Sequence, residues 1–310
     1  MIIHSMETKL NGVARLGHLG VIRVEGVDAA SFLQGQLTQD FSLLGLGEAR
    51  LAAYCSAQGR MLASFYGFKR SHTEILLVCS GDLLAQTIQR LSRFVMRSKV
   101  SLADASPDYI LIGLAGDALS EIAGGSHAAW SKIEIDTASL VFLYPAHGVQ
   151  RALWLAPATQ TQPVGSPLSE QDWLLGEVHS GIALINAATV ETFVPQMLNY
   201  ESVGGVSFKK GCYPGQEVVA RSQFRGTLKR RAFAAHSAAP MKAGDEIFQD
   251  EDPQQPCGIV AQAAAAVNGG FDAIVSMQTA AAEAGGLHLG AATGPFVSVA
   301  AAPYPLLADI

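Results

Sequence analysis

Lys210-Gly211-Cys212-Tyr213-Pro214-Gly215-Gln216-Glu217 sets one cysteine in a glycine-flanked turn, after two lysines and ahead of a predicted helix. The thiolate is the reactive form of cysteine, and a nearby cation or helix N-terminus favours it. The pattern makes Cys212 the candidate functional thiol and Lys210 its candidate activator. Pro214 suits a first helical position, and Glu217 a first turn, where the dipole favours negative charge. Gly211 and Gly215 permit positive φ and close approach of backbone or ligand. A small buried cysteine in a capping turn would read the same way, so the octapeptide alone leaves both readings open. A thiolate here could do redox chemistry, hold a soft metal transiently or attack an electrophile such as formaldehyde. Alone it cannot hold an iron–sulfur cluster, which usually needs four protein ligands.

The elements that must position this turn are mixed. Gly20 to Val24 reads as a strand, and Asp28 as the cap of a helix running through Leu37, with Phe32, Leu33 and Leu37 at core spacing. Thr73 to Cys79 reads as a strand. A helix then begins at Ser80, with Leu83, Leu84, Ile88, Leu91 and Val95 at helical period and Arg90, Arg93 and Arg97 in its last turn. Tyr109 to Leu114 and Leu140 to Tyr144 read as strands around a helix at Ala118 to Ile122. Gly113-x-x-Gly116 lacks the rest of a dinucleotide fingerprint and reads as core packing. Thr161 to Pro167 is a polar linker, and Glu170 opens a helix carrying Trp173, Leu174 and Val178. After Arg231, short apolar runs alternate with glycines, which predicts a small β domain.

Four stretches in order, Phe32-Leu33-Gln34-Gly35-Gln36-Leu37-Thr38-Gln39-Asp40, Tyr54-Cys55-Ser56-Ala57-Gln58-Gly59-Arg60-Met61-Leu62, Phe193-Val194-Pro195-Gln196-Met197-Leu198-Asn199 and the cysteine octapeptide, closely resemble the YgfZ family. The resemblance implies an α+β, aminomethyltransferase-like (T-protein) fold: three subdomains in a ring around a folate cavity. Residues 1–235 would form the folate-binding region, as two interleaved subdomains, and 236–310 a C-terminal β-barrel-like domain. It also implies a tetrahydrofolate-binding accessory protein that supports iron–sulfur enzyme assembly or repair and tRNA modification. The alternatives are a folate-dependent one-carbon transferase with an unknown acceptor, and a noncatalytic RNA or protein adaptor.

Taken alone, Trp173 reads as a core aromatic; the resemblance implies a ligand-stacking tryptophan there. Gln36, Thr38, Tyr54 and Arg60 would supply the few polar groups that a mostly apolar ligand pocket needs. The T-protein acid that activates folate has no counterpart in Gly59-Arg60-Met61-Leu62-Ala63-Ser64. The T-protein glutamate that faces the pterin aligns with His179, leaving Glu177 on another part of the helix. An aromatic that lines folate in some relatives is Leu19 here. Without a placed acid, aminomethyl transfer is not expected. Whether the chain is an enzyme stays open.

At 310 residues, with 49% hydrophobic and 15% charged side chains, the chain can bury a substantial core. Its net charge of −6 argues against nonspecific nucleic-acid binding by the whole surface. Arg221, Arg225, Lys229, Arg230 and Arg231 form a basic run, readable as a solvated face or as a contact for tRNA phosphates. The four cysteines, Cys55, Cys79, Cys212 and Cys257, are far apart, which suits reduced thiols; no metal site is expected. Neither a signal peptide nor a membrane span is expected, and the predicted location is cytoplasmic.

Overall fold

The computed structural model describes residues 10–224 and 228–307. In chain order these form β1 (Gly12–Arg15), β2 (Leu19–Glu25), α1 (Ala29–Gln34), β3 (Ala49–Cys55), β4 (Met61–Lys69), β5 (Glu74–Ser80), α2 (Leu84–Ser92) and β6 (Ser101–Asp104). Next come β7 (Tyr109–Ala115), α3 (Asp117–Ala123), β8 (Lys132–Ile135), β9 (Ala138–Phe142), β10 (Arg151–Pro157), α4 (Glu170–Ser180) and α5 (Gln216–Phe224). The chain ends with β11 (Arg230–Ser237), β12 (Glu246–Gln249), β13 (Gly258–Ala265), β14 (Phe271–Gln278), α6 (Thr279–Ala284), β15 (Leu287–Leu289) and β16 (Ser298–Ala300).

The strands make three antiparallel sheets, in the orders β3-β4-β5-β2-β6, β1-β7-β10-β9-β8 and β15-β12-β13-β14-β11-β16. The third curls until its ends meet. Leu289 N donates to Pro295 O and Val297 N to Leu287 O, tying β15 to the chain that enters β16. β4 is buried along almost its whole length, so it reads as a continuous apolar run rather than an alternation. One core joins the sheets: Val21, Leu51 and Phe68 from the first, Leu111 and Leu153 from the second, Ala261 and Ile274 from the third, with Trp173, Phe193 and Tyr200 between them.

Several boundaries differ from the expectation. α1 ends at Gln34 rather than Leu37, and the Asp28 side chain does not cap it; its carboxylate accepts from Lys99 N at 2.7 Å. The segment from Ser80 opens with a 3-10 turn and α2 stops at Ser92, so Arg93 and Arg97 lie past its end. Gly113 packs against the core, as expected: a Cβ there would lie 2.5 Å from the Trp173 ring.

Candidate functional site

The cysteine turn locks into the Gly59 turn. Gly215 has φ +79°, and a Cβ on it would lie 2.4 Å from Ser56 O and 2.7 Å from Gly59 Cα. Gly59 has φ +74°, and its missing Cβ would press on Val218 at 3.0 Å. Two of the four family stretches thus meet backbone to backbone, which only glycine permits. Because Gly215 turns the chain, α5 begins at Gln216, leaving Pro214 outside the helix and Cys212 four residues before it.

Cys212 is exposed, while Cys55, Cys79 and Cys257 are buried. The Lys210 side chain turns inward. Its Nζ donates to Gln34 O and Leu37 O, both at 2.5 Å, and sits 4.6 Å from the Tyr213 ring centroid. Burial lowers its pKa to about 8, against the weaker opposing pull of Asp40 and Cys212. Lys210 therefore anchors the cysteine turn to the end of α1.

A second centre lies where α4 crosses the core. Ser169 caps the helix by accepting from Asp172 N at 3.0 Å, and Gly181, at φ +71°, ends it in the left-handed conformation. Between these caps, Trp173 and Glu177 are one turn apart on the same buried face. Trp173 Nε1 donates to Glu177 Oε1 at 2.9 Å, and Gln262 Nε2 to Glu177 Oε2 at 2.8 Å. His18 Nε2 lies 3.5 Å from the same carboxylate, a charge contact too long for a hydrogen bond, while its Nδ1 meets Glu170 at 2.8 Å. The Arg151 guanidinium sits 5.1 Å over the Trp173 ring and donates through Nε to Tyr144 O.

Burial favours a neutral Glu177, but His18, Arg151 and Gln262 outweigh it and hold the carboxyl below its ordinary range. Burial likewise works against charge on His18, yet Glu177 and Glu170 raise its pKa overall. Two buried polar atoms of this centre, His18 Nε2 and Arg151 Nη1, have no hydrogen-bond partner. His179, the aligned position, instead meets Asp272 at 2.8 Å and stacks on His147. The interior acid at this place is Glu177.

The remaining expected residues are dispersed. Thr38 is buried, with Oγ1 donating to Gly205 O and accepting from Ala53 N. Tyr54 packs in the separate core beneath α1. Gln36 keeps a buried Oε1 without a partner. Arg60 donates to Thr192 O at 2.5 Å and lines a pocket of about 220 Å³. That pocket shares Met197 and Arg230 with a groove of about 790 Å³ on which Arg221 and Lys229 also stand. Arg231 is only 7% exposed and pairs with Glu201 at 2.8 Å, so it faces the interior rather than a partner. Arg225 lies outside the described residues.

His18, Arg151 and Gln262 carry no local motif, since they reach Glu177 from three separate strands or turns. The one legible signal was the four-residue spacing of Trp173 and Glu177. Among the described residues no helix is long and apolar enough to cross a membrane.

Comparison with known proteins gives concordant results. The chain is 31% identical to the tRNA-modifying protein YgfZ of Yersinia pseudotuberculosis, across 73% of this chain and 72% of that one. It is 32% identical to the YgfZ of Klebsiella pneumoniae, across 72% of each, and 31% identical to that of Edwardsiella ictaluri, across 80% and 79%. No protein-family model matches. Among solved structures, the glycine cleavage system aminomethyltransferase T from Bartonella henselae superposes with a TM-score of 0.68. That match covers 96% of this chain and 87% of the other at 15% identity, and it establishes the aminomethyltransferase-like fold.

Proposed function

The chain belongs to the YgfZ family, and from that premise we propose that it is a tetrahydrofolate-binding accessory protein of tRNA modification, acting on or beside iron–sulfur enzymes. The observation that carries the reading is the Glu177 centre. A buried, ionised carboxylate flanked by a guanidinium and an imidazole, each with one unpartnered nitrogen, suits a planar ligand edge bearing N–H donors and a carbonyl. The pterin of a folate has that edge. Glu177, Gln262 and Arg151 would hold it, and Trp173, whose indole N–H is given to Glu177, orients the carboxylate.

Gln36, with its free buried oxygen, is the proposed contact for the rest of the molecule. Bound folate would supply a one-carbon carrier. The exposed Cys212, on a turn that Lys210 fixes in place, is the proposed functional thiol. Its accessibility suits chemistry with a partner protein, whose own ligands would complete any cluster.

The test is calorimetric titration of the reduced protein with tetrahydrofolate, beside Glu177→Gln and Trp173→Phe. Saturable binding weakened about tenfold or more by Glu177→Gln is expected, that being the size of one charge-assisted hydrogen bond. No binding by the intact protein would sink the folate reading.

A further inference from the structure

The groove beside α5 has the composition of a ligand site in its own right. Arg221, Lys229 and Arg230 stand on it, Arg60 lines the pocket that continues it, and among the described residues neither lining includes a carboxylate, although Arg221 also pairs with exposed Glu217. Its walls also carry apolar Val194, Met197 and Leu228. On a chain of net charge −6, such a lining concentrates positive potential in one place.

A second observation is independent of charge. Gln196 lines the groove and is fully buried. Its Nε2 donates to Val219 O at 2.7 Å, which fixes the amide orientation, and its Oε1 has no partner. Ser276 Oγ, on the adjoining pocket, is also buried without a partner. A buried amide oxygen and a buried hydroxyl left open in this way are places where a ligand's polar groups can be met.

We propose that this groove binds a short segment of single-stranded RNA, with Arg60, Arg221, Lys229 and Arg230 on phosphates and Gln196 Oε1 accepting a base N–H. About 790 Å³ accommodates one or two nucleotides. A single strand can also splay a base out of its stack so that the base edge reaches Gln196 Oε1, whereas a paired base stays stacked in its helix. The assignment rests on the tRNA reading above and localises it. Arg231 takes no part, and Arg60 and Gln196, outside the basic run, do.

Fluorescence anisotropy with a labelled hexaribonucleotide and with an unmodified tRNA transcript tests it. Variants would be Arg221→Glu combined with Lys229→Glu, Gln196→Met, and Lys242→Glu as an exposed charge control off the groove. Both probes should bind with steep salt dependence. The double variant should weaken each about tenfold or more and flatten the salt slope. Gln196→Met should weaken the hexaribonucleotide with its slope unchanged, and Lys242→Glu should do neither. Equal loss in Lys242→Glu, or tighter binding of a tetraglutamyl peptide than of the oligonucleotide, would overturn the assignment. A tRNA bound equally well by the double variant would remove the groove and leave the tRNA reading standing. A tRNA not bound by the intact protein would overturn the groove's assignment, while the accessory reading, which works through partner enzymes, answers to the folate titration.

Discussion

Gly215 and Gly59 lie in van der Waals contact through their backbones, so that a methyl group on Gly215 would come within 2.7 Å of Gly59 Cα. This contact, not a side-chain interaction, registers the cysteine turn against the first sheet. Gly215→Ala must also hold a non-glycine residue at φ +79°, and strain and clash together should cost about 2–3 kcal/mol. Gly211→Ala, whose methyl group would meet nothing within 4 Å, should change stability by no more than about 0.5 kcal/mol. Urea denaturation of the two variants separates the cases. Equal stability would mean that the turns do not interlock.

The same geometry leaves one thiol within reach. Cys55 and Cys79 are enclosed, and burial pushes their pKa values up to about 12, which suppresses the thiolate. Cys257 is buried and donates its S–H to Ile247 O. Brief alkylation of the native protein at pH 8, read by peptide mass spectrometry, should modify Cys212 alone. The other three should react only after unfolding. Rapid modification of Cys55 would show that the first sheet opens far more readily than its packing implies.

How much of this is legible in residue order depends on the range of the interaction. The strands around Val21, Leu76 and Leu111 follow from local apolar patterning, and the Gly59 and Gly215 turns from glycine where backbone bends. Cys212 is named by its immediate neighbours. Glu177 is not, because its partners His18, Arg151 and Gln262 are 159, 26 and 85 residues away, and only tertiary packing, with α4 laid against β1, β13 and β14, brings them together. Lys210 shows the opposite failure. Adjacency pairs it with Cys212, but the apolar stem runs inward and the ammonium finds the open carbonyls at the end of α1. The basic run divides for the same reason: along β11, neighbouring Arg230 and Arg231 point to opposite faces, one toward the groove and one into the core.

That division has an energetic consequence. Arg231 and Glu201 form a buried pair, and the Glu201 side chain has no solvent exposure. Removing the cation alone strands a buried carboxylate, so Arg231→Met should destabilise the fold by about 3–5 kcal/mol. Arg221→Ala removes only an exposed pair with Glu217, and should stay within about 0.5 kcal/mol. Chemical denaturation measures both. A neutral Arg231→Met would mean that the pair is solvated and the cation free for a partner.

The Glu177 centre should also write itself into the pH dependence of stability. Glu177 and Glu170 raise the His18 pKa above its ordinary 6.5 despite burial. A raised pKa means that the folded state binds the proton more tightly than the unfolded chain does. The resulting stabilisation is fully present below pH 6.5 and is lost as the pH rises through the higher folded value. Glu177 has the opposite sign: its depressed pKa stabilises the fold above about 4.5, and that contribution fades as the pH falls through the folded value. Urea midpoints between pH 5.5 and 8.5 should therefore fall on the alkaline side. In His18→Gln, which cannot take the proton, that fall should shrink. Proton resonances of the His18 ring give the folded pKa directly, and a value at or below 6.5 would show that burial, not the two carboxylates, governs this site.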